Sequence, residues 1–263
     1  MTVFAITGGS GRIGRALAPR LAAHGHTVRT IDAEEAPPEA AGEHVRVDLA
    51  DREALRKAVK HADVVVHLAG LASERTWDDI LAVNIDGTRN ALEAARVAEV
   101  PRVVLASSIH AVGCAPAVEA REAAVLLPRP DTYYGASKAA MEALGSLYAD
   151  RFGLTVVSAR ICTFGDRPEE PRSLATWLSP DDATRLVEAA GALDRPGHHI
   201  VWGVSANRPA WFDLSAGEDI GYHPQDDAVT VAEQLGGEWV WPDPQEPLGT
   251  PFGDPLHPVG MPW

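Results

Sequence analysis

Positive charge and cysteine are both scarce in this sequence. Its 263 residues contain 23 Lys and Arg against 37 Asp and Glu, for a formal charge of −14. Such an acidic balance argues against nucleic acid or an anionic membrane as a partner, because both would repel the chain. The two cysteines, Cys114 and Cys162, are too few for a disulfide framework or a metal-ligand cluster, so we expect no metal site.

Long apolar runs and targeting signals are missing too. No stretch approaches the ~20 apolar residues that cross a bilayer. The opening Met-Thr-Val-Phe-Ala-Ile-Thr lacks the basic segment of a signal peptide. We therefore expect a cytoplasmic protein with no membrane partner. The hydrophobic content of 46% is ordinary for a globular protein, and the length allows one large core.

Apolar runs alternate with helical patterns along most of the chain. Because the runs are apolar throughout, this alternation predicts an α/β fold: a doubly wound parallel Rossmann sheet with helices on both faces. Strands are predicted over residues 3–7, 27–31, 44–47, 64–68, 102–107, 155–159 and 199–202, and helices over 12–24, 52–59, 80–98, 135–151 and 183–191.

The composition changes after residue 162, where loops rich in Pro, Trp and Asp take over. Residues 1–162 are predicted to form the nucleotide-binding core. Residues 163–263 are predicted to form a small C-terminal substrate-side region of the same structural domain. Its final stretch, 241–263, is crowded with Pro and Gly, so we expect an irregular arm.

A glycine-rich segment, Thr-Gly-Gly-Ser-Gly-Arg-Ile-Gly over residues 7–14, joins the first strand to the first helix. Glycines at these spacings allow a tight turn, close approach of backbone N–H groups to a pyrophosphate, and close packing of helix on sheet. The context favours a dinucleotide site over a glycine-rich loop without a ligand. The predicted cofactor contacts here are Gly8, Gly11, Arg12, Ile13 and Gly14.

Asp32 ends the second predicted strand, eighteen positions after Gly14. A carboxylate there can hold the adenosine ribose hydroxyls; the alternative is an ordinary turn residue. Glu34 and Glu35 follow, and the next basic residue is Arg46. A 2′-phosphate would meet three carboxylates, so the cofactor predicted is NAD rather than NADP.

Further cofactor contacts are predicted after the next strands. Asp48 and Leu49 follow the third strand and could contact adenine, although Asp48 could equally cap the following helix. Asn84 is polar within an apolar helical pattern, so it could brace the neighbouring strand or make a plain buried hydrogen bond. The remaining predicted contacts lie at the ends of the fourth and sixth strands, at Leu68, Ala69 and Ile161.

Tyr134 and Lys138 are four residues apart on a predicted helix, which places their side chains on one face about 5–6 Å apart at Cβ. A neighbouring ammonium favours the phenolate and lowers the tyrosine pKa. With only three Lys in the chain, chance predicts roughly 0.05 such pairs, though a packed surface pair is the alternative. Ser108, at the end of the fifth strand, could donate a hydrogen bond to a reacting oxygen.

These residues resemble the short-chain dehydrogenase/reductase superfamily, in its extended, epimerase-like branch. The resemblance covers residues 1 to about 161. It implies that Ser108, Tyr134 and Lys138 form a catalytic triad, with Tyr134 as the acid/base. It also implies that Lys138 lowers the tyrosine pKa and holds the nicotinamide ribose.

A narrower resemblance, to the uronate dehydrogenases, extends over nearly the full length. It rests on residues 106–110, 128–138, 172–179, 181–182 and 201–207. It implies NAD-dependent oxidation of C1 of a cyclic hexuronic acid, glucuronate or galacturonate, to an aldarolactone, with Arg172 on the substrate carboxylate. The substrate-binding set that it implies is Ser73, Ser108, Ile109, His110, Tyr134 and Arg172.

Two positions depart from that family's pattern. Ile109 stands where an asparagine is common, and Ala72 where a serine is common, with Ser73 adjacent. Both changes remove polar groups expected to face sugar hydroxyls, so a less hydroxylated or differently configured acid is a possible substrate. A homo-oligomer is also implied by the resemblance.

Two other functions stay open at this point. A sugar-nucleotide epimerase or dehydratase of the same branch usually carries a larger C-terminal substrate domain than this chain. A redox-sensing regulator that binds NAD without chemistry tends to lose the Tyr/Lys pair, which this chain keeps.

Overall fold

The computed structural model describes residues 1–36, 42–236, 239–254 and 256–262. The strands are β1 (Val3–Thr7), β2 (Thr27–Asp32), β3 (Glu43–Arg46), β4 (Val64–His67), β5 (Arg102–Ser108), β6 (Thr155–Ile161), β7 (Thr163–Phe164), β8 (Trp177–Leu178) and β9 (Gly197–Gly203). A seven-stranded sheet lies at the centre, in the order β3-β2-β1-β4-β5-β6-β9, and every neighbouring pair is parallel. The two short strands β7 and β8 pair separately.

Helices flank the sheet, and short helices lie in the part of the chain after β6. A π-helical segment, Leu81–Asp86, and a 3₁₀ segment, Ile109–Val112, accompany them. The α-helices are α1 (Arg12–Ala23), α2 (Arg52–Ala58), α3 (Trp77–Ile80), α4 (Gly87–Val97), α5 (Ala117–Glu122), α6 (Tyr133–Phe152), α7 (Ser173–Thr176), α8 (Pro180–Ala192), α9 (Ser215–Asp219) and α10 (Ala228–Leu235).

Apolar side chains cover both faces of the sheet. On one face, Phe4 of β1 belongs to a buried cluster with Leu17 of α1 and Leu186 of α8. On the other, Leu92 of α4 and Met141 of α6 lie in a second cluster. Both faces of a parallel sheet are therefore buried, as strands apolar throughout require. The predicted Rossmann fold class is confirmed.

The helix predicted over 80–98 is broken into three pieces. The short α3 leads into the π-helical segment, and α4 starts only at Gly87. A π turn adds backbone to the helical ring, so side chains after it leave the face that a 3.6-residue period predicts. Asn84 lies in this segment and is 1% exposed.

Helix α6 starts at Tyr133, two residues before the predicted start. Thr132 is its N-cap, and the Thr132 hydroxyl accepts a hydrogen bond from the Gly135 N–H at 2.9 Å. The helix ends at Gly153, whose φ of 72° is the left-handed conformation that favours glycine. This longer helix places Tyr134 in its first turn and Lys138 one turn further on.

The segment that we call the C-terminal arm comprises residues 239–254 and 256–262, and it packs against the residues that follow the 3₁₀ segment. The backbone N–H groups of Leu248 and Gly249 donate to the carbonyls of Ala115 and Gly113, both at 2.8 Å. Leu248 is fully buried in a third apolar cluster with Trp202. The arm is irregular, as predicted. Among the described residues, no helix is long and apolar enough to cross a membrane.

Candidate functional site

The carboxyl ends of β1, β4, β5 and β6 meet at one edge of the sheet. Strand β1 lies between β2 and β4, so the strand order reverses there, which is where ligands bind in open α/β sheets. Ser108, the last residue of β5, pairs in register with Ile161, the last residue of β6. The predicted cofactor and catalytic residues therefore converge on this edge.

The glycine-rich turn between β1 and α1 leaves no room for a Cβ at Gly8, Gly9 or Gly14. Gly8 has φ +74°, and a Cβ there would lie 2.6 Å from the Ala69 nitrogen. A Cβ at Gly14 would lie 2.4 Å from the Gly8 carbonyl oxygen. Helix α1 begins at Arg12 and Ile13, directly after this turn, and no side chain among the described residues caps its first N–H groups. Such a cradle suits a pyrophosphate.

Asp32 lies against the same turn, at the end of β2. Its carboxylate accepts hydrogen bonds from the N–H of Ser10 at 2.9 Å and of Glu34 at 3.1 Å. An ionised carboxylate has about four lone-pair sites, so acceptor capacity is left for ribose hydroxyls. Arg46 stands opposite Asp32 in the β2–β3 register, but its guanidinium bonds Ala33 O and lies 3.4 Å from Glu35.

Asp48 and Leu49 follow β3, as predicted, in the turn before α2. Asp48 accepts from the Ala50 N–H at 2.8 Å, whereas the cap of α2 is Asp51, which accepts from Ala54 N at 2.9 Å. The alternative of Asp48 as the helix cap is therefore wrong, because the helix starts one turn later. The Leu49 carbonyl accepts from the Asn90 side chain at 2.9 Å.

Asn84 braces the loop that follows β4. Its Oδ1 accepts from the Leu71 N–H at 2.8 Å, and its Nδ2 donates to Leu71 O at 3.1 Å and to the Ser137 hydroxyl at 3.0 Å. Ser137 in turn donates to the Tyr134 carbonyl at 2.7 Å. The amide thus links the loop holding Leu68 and Ala69 to the first turn of α6.

Tyr134 is 9% exposed and lies beside Ser108 at the end of β5. Burial raises the pKa of Tyr134 to about 12, a hydrogen bond from Ser108 acts to lower it, and the Asp131 carboxylate adds to the rise. Lys138 is not among the groups that shift this pKa, so the predicted lowering of the Tyr134 pKa by Lys138 is wrong. Ser108 is the neighbouring group that stabilises a phenolate here.

Lys138 is buried, and its ammonium Nζ lies 5.4 Å from the centre of the Tyr134 ring. Nζ donates to the Ala106 carbonyl at 2.7 Å, so one of its three N–H groups is used by β5. Burial lowers the pKa of Lys138 to about 8. The ammonium is therefore fixed under the tyrosine, with two further N–H groups to donate.

The partly buried His110 and the buried Asp131 form a pair next to Tyr134. His110 Nδ1 lies 2.7 Å from Asp131 Oδ2, and the His110 ring packs edge-on to Tyr134 with centroids 5.6 Å apart. The Asp131 side chain is 0% exposed. Its carboxylate would collide with a Cβ at Gly113, at 1.9 Å, or at Gly249, at 1.7 Å. The imidazole orientation is therefore set by a carboxylate enclosed in glycine backbone.

Ile109 stays a prediction as a substrate contact, and its side chain packs in the core. It is 2% exposed and belongs to the third apolar cluster, with Val112 and Trp202. The 3₁₀ turn after Ser108 directs this side chain into the core, where an isoleucine is stabilised by burial. Trp177 and Trp202 are buried as well, as expected of core residues.

Arg172 lies before α7, and burial lowers the pKa of its guanidinium. Nη2 donates to the Leu248 carbonyl of the C-terminal arm. Nε is buried with no hydrogen-bond partner among the described residues. A buried, partly unsatisfied guanidinium suits a carboxylate ligand. Ser73 is partly buried, and its hydroxyl accepts from Arg75 at 2.7 Å.

Two carboxylates of the site, Asp131 and Glu74, were not predicted from the sequence. Asp131 ends the Pro-Arg-Pro-Asp motif that precedes Tyr134, but the sequence alone predicts no contact for its carboxylate. Glu74 is fully buried and accepts from the Tyr134 N–H at 2.7 Å, across 60 positions in sequence. In the sequence, Glu74 is simply the acidic residue after Ser73, and nothing there predicts its contact with Tyr134.

The fold and this edge of the sheet define a dinucleotide-binding protein of the Rossmann class. The model of the NAD dependent epimerase/dehydratase family matches residues 4–194. The chain belongs to this family, and the predicted membership of the epimerase-like branch is confirmed.

Several relatives match over most of their length. The uronate dehydrogenase of Pseudomonas syringae pv. tomato is 39% identical over 236 residues, 89% of this chain and 85% of that protein. The L-arabinose 1-dehydrogenase (NAD(P)(+)) of Haloferax volcanii is 35% identical over 258 residues, 89% of this chain and 100% of that protein. A uronate dehydrogenase mutant from Agrobacterium tumefaciens, solved in complex with NAD, has a TM-score of 0.88 at 34% identity, covering 98% of this chain and 99% of that one.

Proposed function

We propose that this protein oxidises C1 of a hexuronic acid hemiacetal with NAD and releases an aldarolactone. The observation that carries the proposal is the partly buried guanidinium of Arg172, whose buried Nε has no hydrogen-bond partner among the described residues and is free to bind a carboxylate. The Asp131 carboxylate acts to raise the pKa of both Tyr134 and Arg172, which supports a location of the two side chains in the same part of the molecule. The similarity to uronate dehydrogenases supports the same reaction.

The residues present fit NAD. The turn is closed to any Cβ at Gly8 and Gly14, and Asp32 retains acceptor capacity beside it. Gly8, Gly11 and Gly14 would hold the pyrophosphate, Asp32 the adenosine ribose, and Lys138 the nicotinamide ribose. Bound NAD supplies the acceptor for the hydride that leaves C1, together with a positive ring charge.

Tyr134 takes the proton of the C1 hydroxyl in this proposal. The single Ser108 hydroxyl hydrogen stabilises the Tyr134 phenolate before substrate binds, and it turns to the C1 oxygen and orients it once substrate is present. The Lys138 ammonium, fixed by Ala106 O, adds positive charge beneath the ring. Arg172 binds the substrate carboxylate through Nε and its remaining N–H groups, with two parallel hydrogen bonds as the favourable geometry.

The test is an NAD-reduction assay over glucuronate, galacturonate, glucose, galactose and L-arabinose, with the lactone product identified by mass spectrometry. Uronates are expected to give NADH and lactone. An Arg172→Met variant should raise KM for uronates at least tenfold and leave NAD binding intact. Strong NADH production from neutral aldoses and none from uronates would reject the proposal.

The epimerase alternative has its own assay. UDP-glucose and UDP-galactose are incubated with the protein and NAD, and interconversion without net NADH is sought. Its appearance, in the absence of uronate oxidation, would replace the proposed function. Turnover on any of these substrates would exclude a regulator without chemistry.

A cytoplasmic homo-oligomer completes the proposal. Leu147 and Phe152 on α6 are 50% and 49% exposed, and Val97 at the end of α4 is 42% exposed. The Arg96 guanidinium of α4 lies 4.9 Å from the centre of the Phe152 ring, so the ends of α4 and α6 lie side by side. Exposed apolar side chains on adjacent helix ends are typical of a surface that contacts another protein. Light scattering at several concentrations is expected to give a multiple of the 28.0 kDa chain mass.

A further inference from the structure

Glu74 holds three backbone N–H groups from two distant segments. It lies between β4 and α3, and its side chain is fully buried. Oε2 accepts from the Tyr134 N–H at 2.7 Å, and Oε1 accepts from the Tyr133 N–H at 3.1 Å. Oε1 also accepts from the Gly260 N–H at 2.7 Å. One carboxylate therefore joins the first turn of α6 to the C-terminal arm.

The start of α6 depends on this carboxylate. The first N–H groups of a helix have no partner within the helix. Thr132 takes the Gly135 N–H, and Glu74 takes those of Tyr133 and Tyr134. Negative charge at a helix N-terminus is favourable, and hydrogen bonds to an ionised acceptor are strong. The backbone of Tyr134 is thereby held by a charged, buried partner.

The arm passes close over the same turn. Gly260 has φ +83°, and a Cβ there would lie 3.2 Å from the Tyr133 ring. The Tyr133 ring packs edge-on to Trp77, with centroids 5.3 Å apart. The first turn of α6 is therefore enclosed between the Glu74 loop and the arm, and displacement of either exposes backbone donors.

We propose that Glu74 is a positioning residue that sets Tyr134 and the C-terminal arm in place together. The inference rests on the proposed function, because that function requires the Tyr134 hydroxyl at the substrate C1 oxygen. Glutamine cannot replace Glu74: it keeps one acceptor oxygen and turns two N–H donors toward backbone N–H groups. Docking of the arm and placement of Tyr134 are thus one coupled event.

The test compares Glu74→Gln, Gly260→Pro and the double variant, all in the full chain. Proline at 260 removes the donated N–H and forbids φ +83°, so it releases the end of the arm without shortening it. Asp78→Asn is the matched control, since it removes one negative charge from an exposed side chain four positions away.

The first measurement needs no activity. Amide hydrogen exchange is followed by mass spectrometry in peptides covering residues 131–138 and 256–262. Glu74→Gln is expected to speed exchange in both peptides, and Gly260→Pro to speed it in 131–138. Asp78→Asn should match the unmodified protein. Unchanged exchange in 131–138 in Glu74→Gln would overturn the proposal.

The second measurement separates positioning from general damage. Each single variant is expected to lower kcat for uronate, by up to about 100-fold. NAD affinity should fall far less than kcat, because the glycine turn and Asp32 lie outside the segments that Glu74 joins, and Lys138 stays bonded to Ala106 O. The kcat of the double variant should be no lower than that of the slower single variant. A double variant whose loss of kcat equals the product of the two single losses would overturn the coupling. If the unmodified protein does not oxidise uronates, the proposed function fails while the exchange data still decide the role of Glu74.

Discussion

Replacing Lys138 by methionine is expected to stabilise the protein near neutral pH while it removes turnover. Lys138 is 5% exposed, and burial lowers its pKa from 10.5 to about 8. A shift of that size means that holding the ammonium in the folded protein costs about 3 kcal/mol. Methionine fills similar space without a charge. Loss of the hydrogen bond to Ala106 O offsets about 1 kcal/mol of the gain.

The sign of the pH dependence follows from the direction of the shift. Below the folded pKa of about 8, Lys138 is charged in both states, and the cost is present in full. Between pH 8 and 10.5 the unfolded chain keeps a proton that the folded protein releases, so the unmodified protein gains stability as pH rises. Relative to Lys138→Met, the gain over that window is about 3 kcal/mol.

Urea unfolding of both proteins, followed by circular dichroism between pH 7 and 10, measures this difference, and all other titrating groups cancel. The variant should be more stable by about 2 kcal/mol at pH 7 and lose that advantage by pH 10. Lys57→Met, at a side chain 70% exposed, controls for the loss of one positive charge. A stability difference between Lys138→Met and the unmodified protein that stays constant over this range would refute the reasoning.

Three other substitutions test the site and the core. Tyr134→Phe should lower kcat by about 10²–10⁴-fold, because it removes the proposed proton acceptor, and NADH fluorescence titration should show cofactor binding retained. Gly14→Ala places a Cβ 2.4 Å from the Gly8 carbonyl, so the same titration should show NAD binding lost. Burial lowers the pKa of His67 to about 3, so stability should fall as the pH drops below about 6.5, and His67→Gln should flatten that fall in urea unfolding at pH 7 and 4.

Local patterns were enough to predict the sheet and the nucleotide turn. Apolar runs predict strands, and Gly8, Gly14 and Asp32 lie within one strand–helix–strand unit, so spacing along the chain was enough to predict that they come together. The Tyr134–Lys138 spacing likewise predicted a shared helical face. It did not predict the raised pKa of Tyr134, because burial depends on how the whole fold closes over the ring.

Contacts between distant segments lay beyond such reasoning. Glu74 meets Tyr134 across 60 positions and Gly260 across 186. No periodicity in the chain encodes either distance. Ile109 shows the converse: resemblance suggested a side chain facing sugar hydroxyls, whereas the 3₁₀ turn buries it in the core. Packing, rather than residue type, decided that position.

The π-helical segment Leu81–Asp86 fixes the number of residues that the protein needs between α3 and α4. Its hydrogen bonds close a ring one residue larger than those of an α-helix. Deleting a single residue there would let the helix run unbroken from α3 into α4 and turn one flank by about 100° against the other. The Asn84 side chain would then lose its hydrogen bond to Leu71 or to Ser137. A homologue shorter by one residue at this point would need another means of tying the loop after β4 to the first turn of α6.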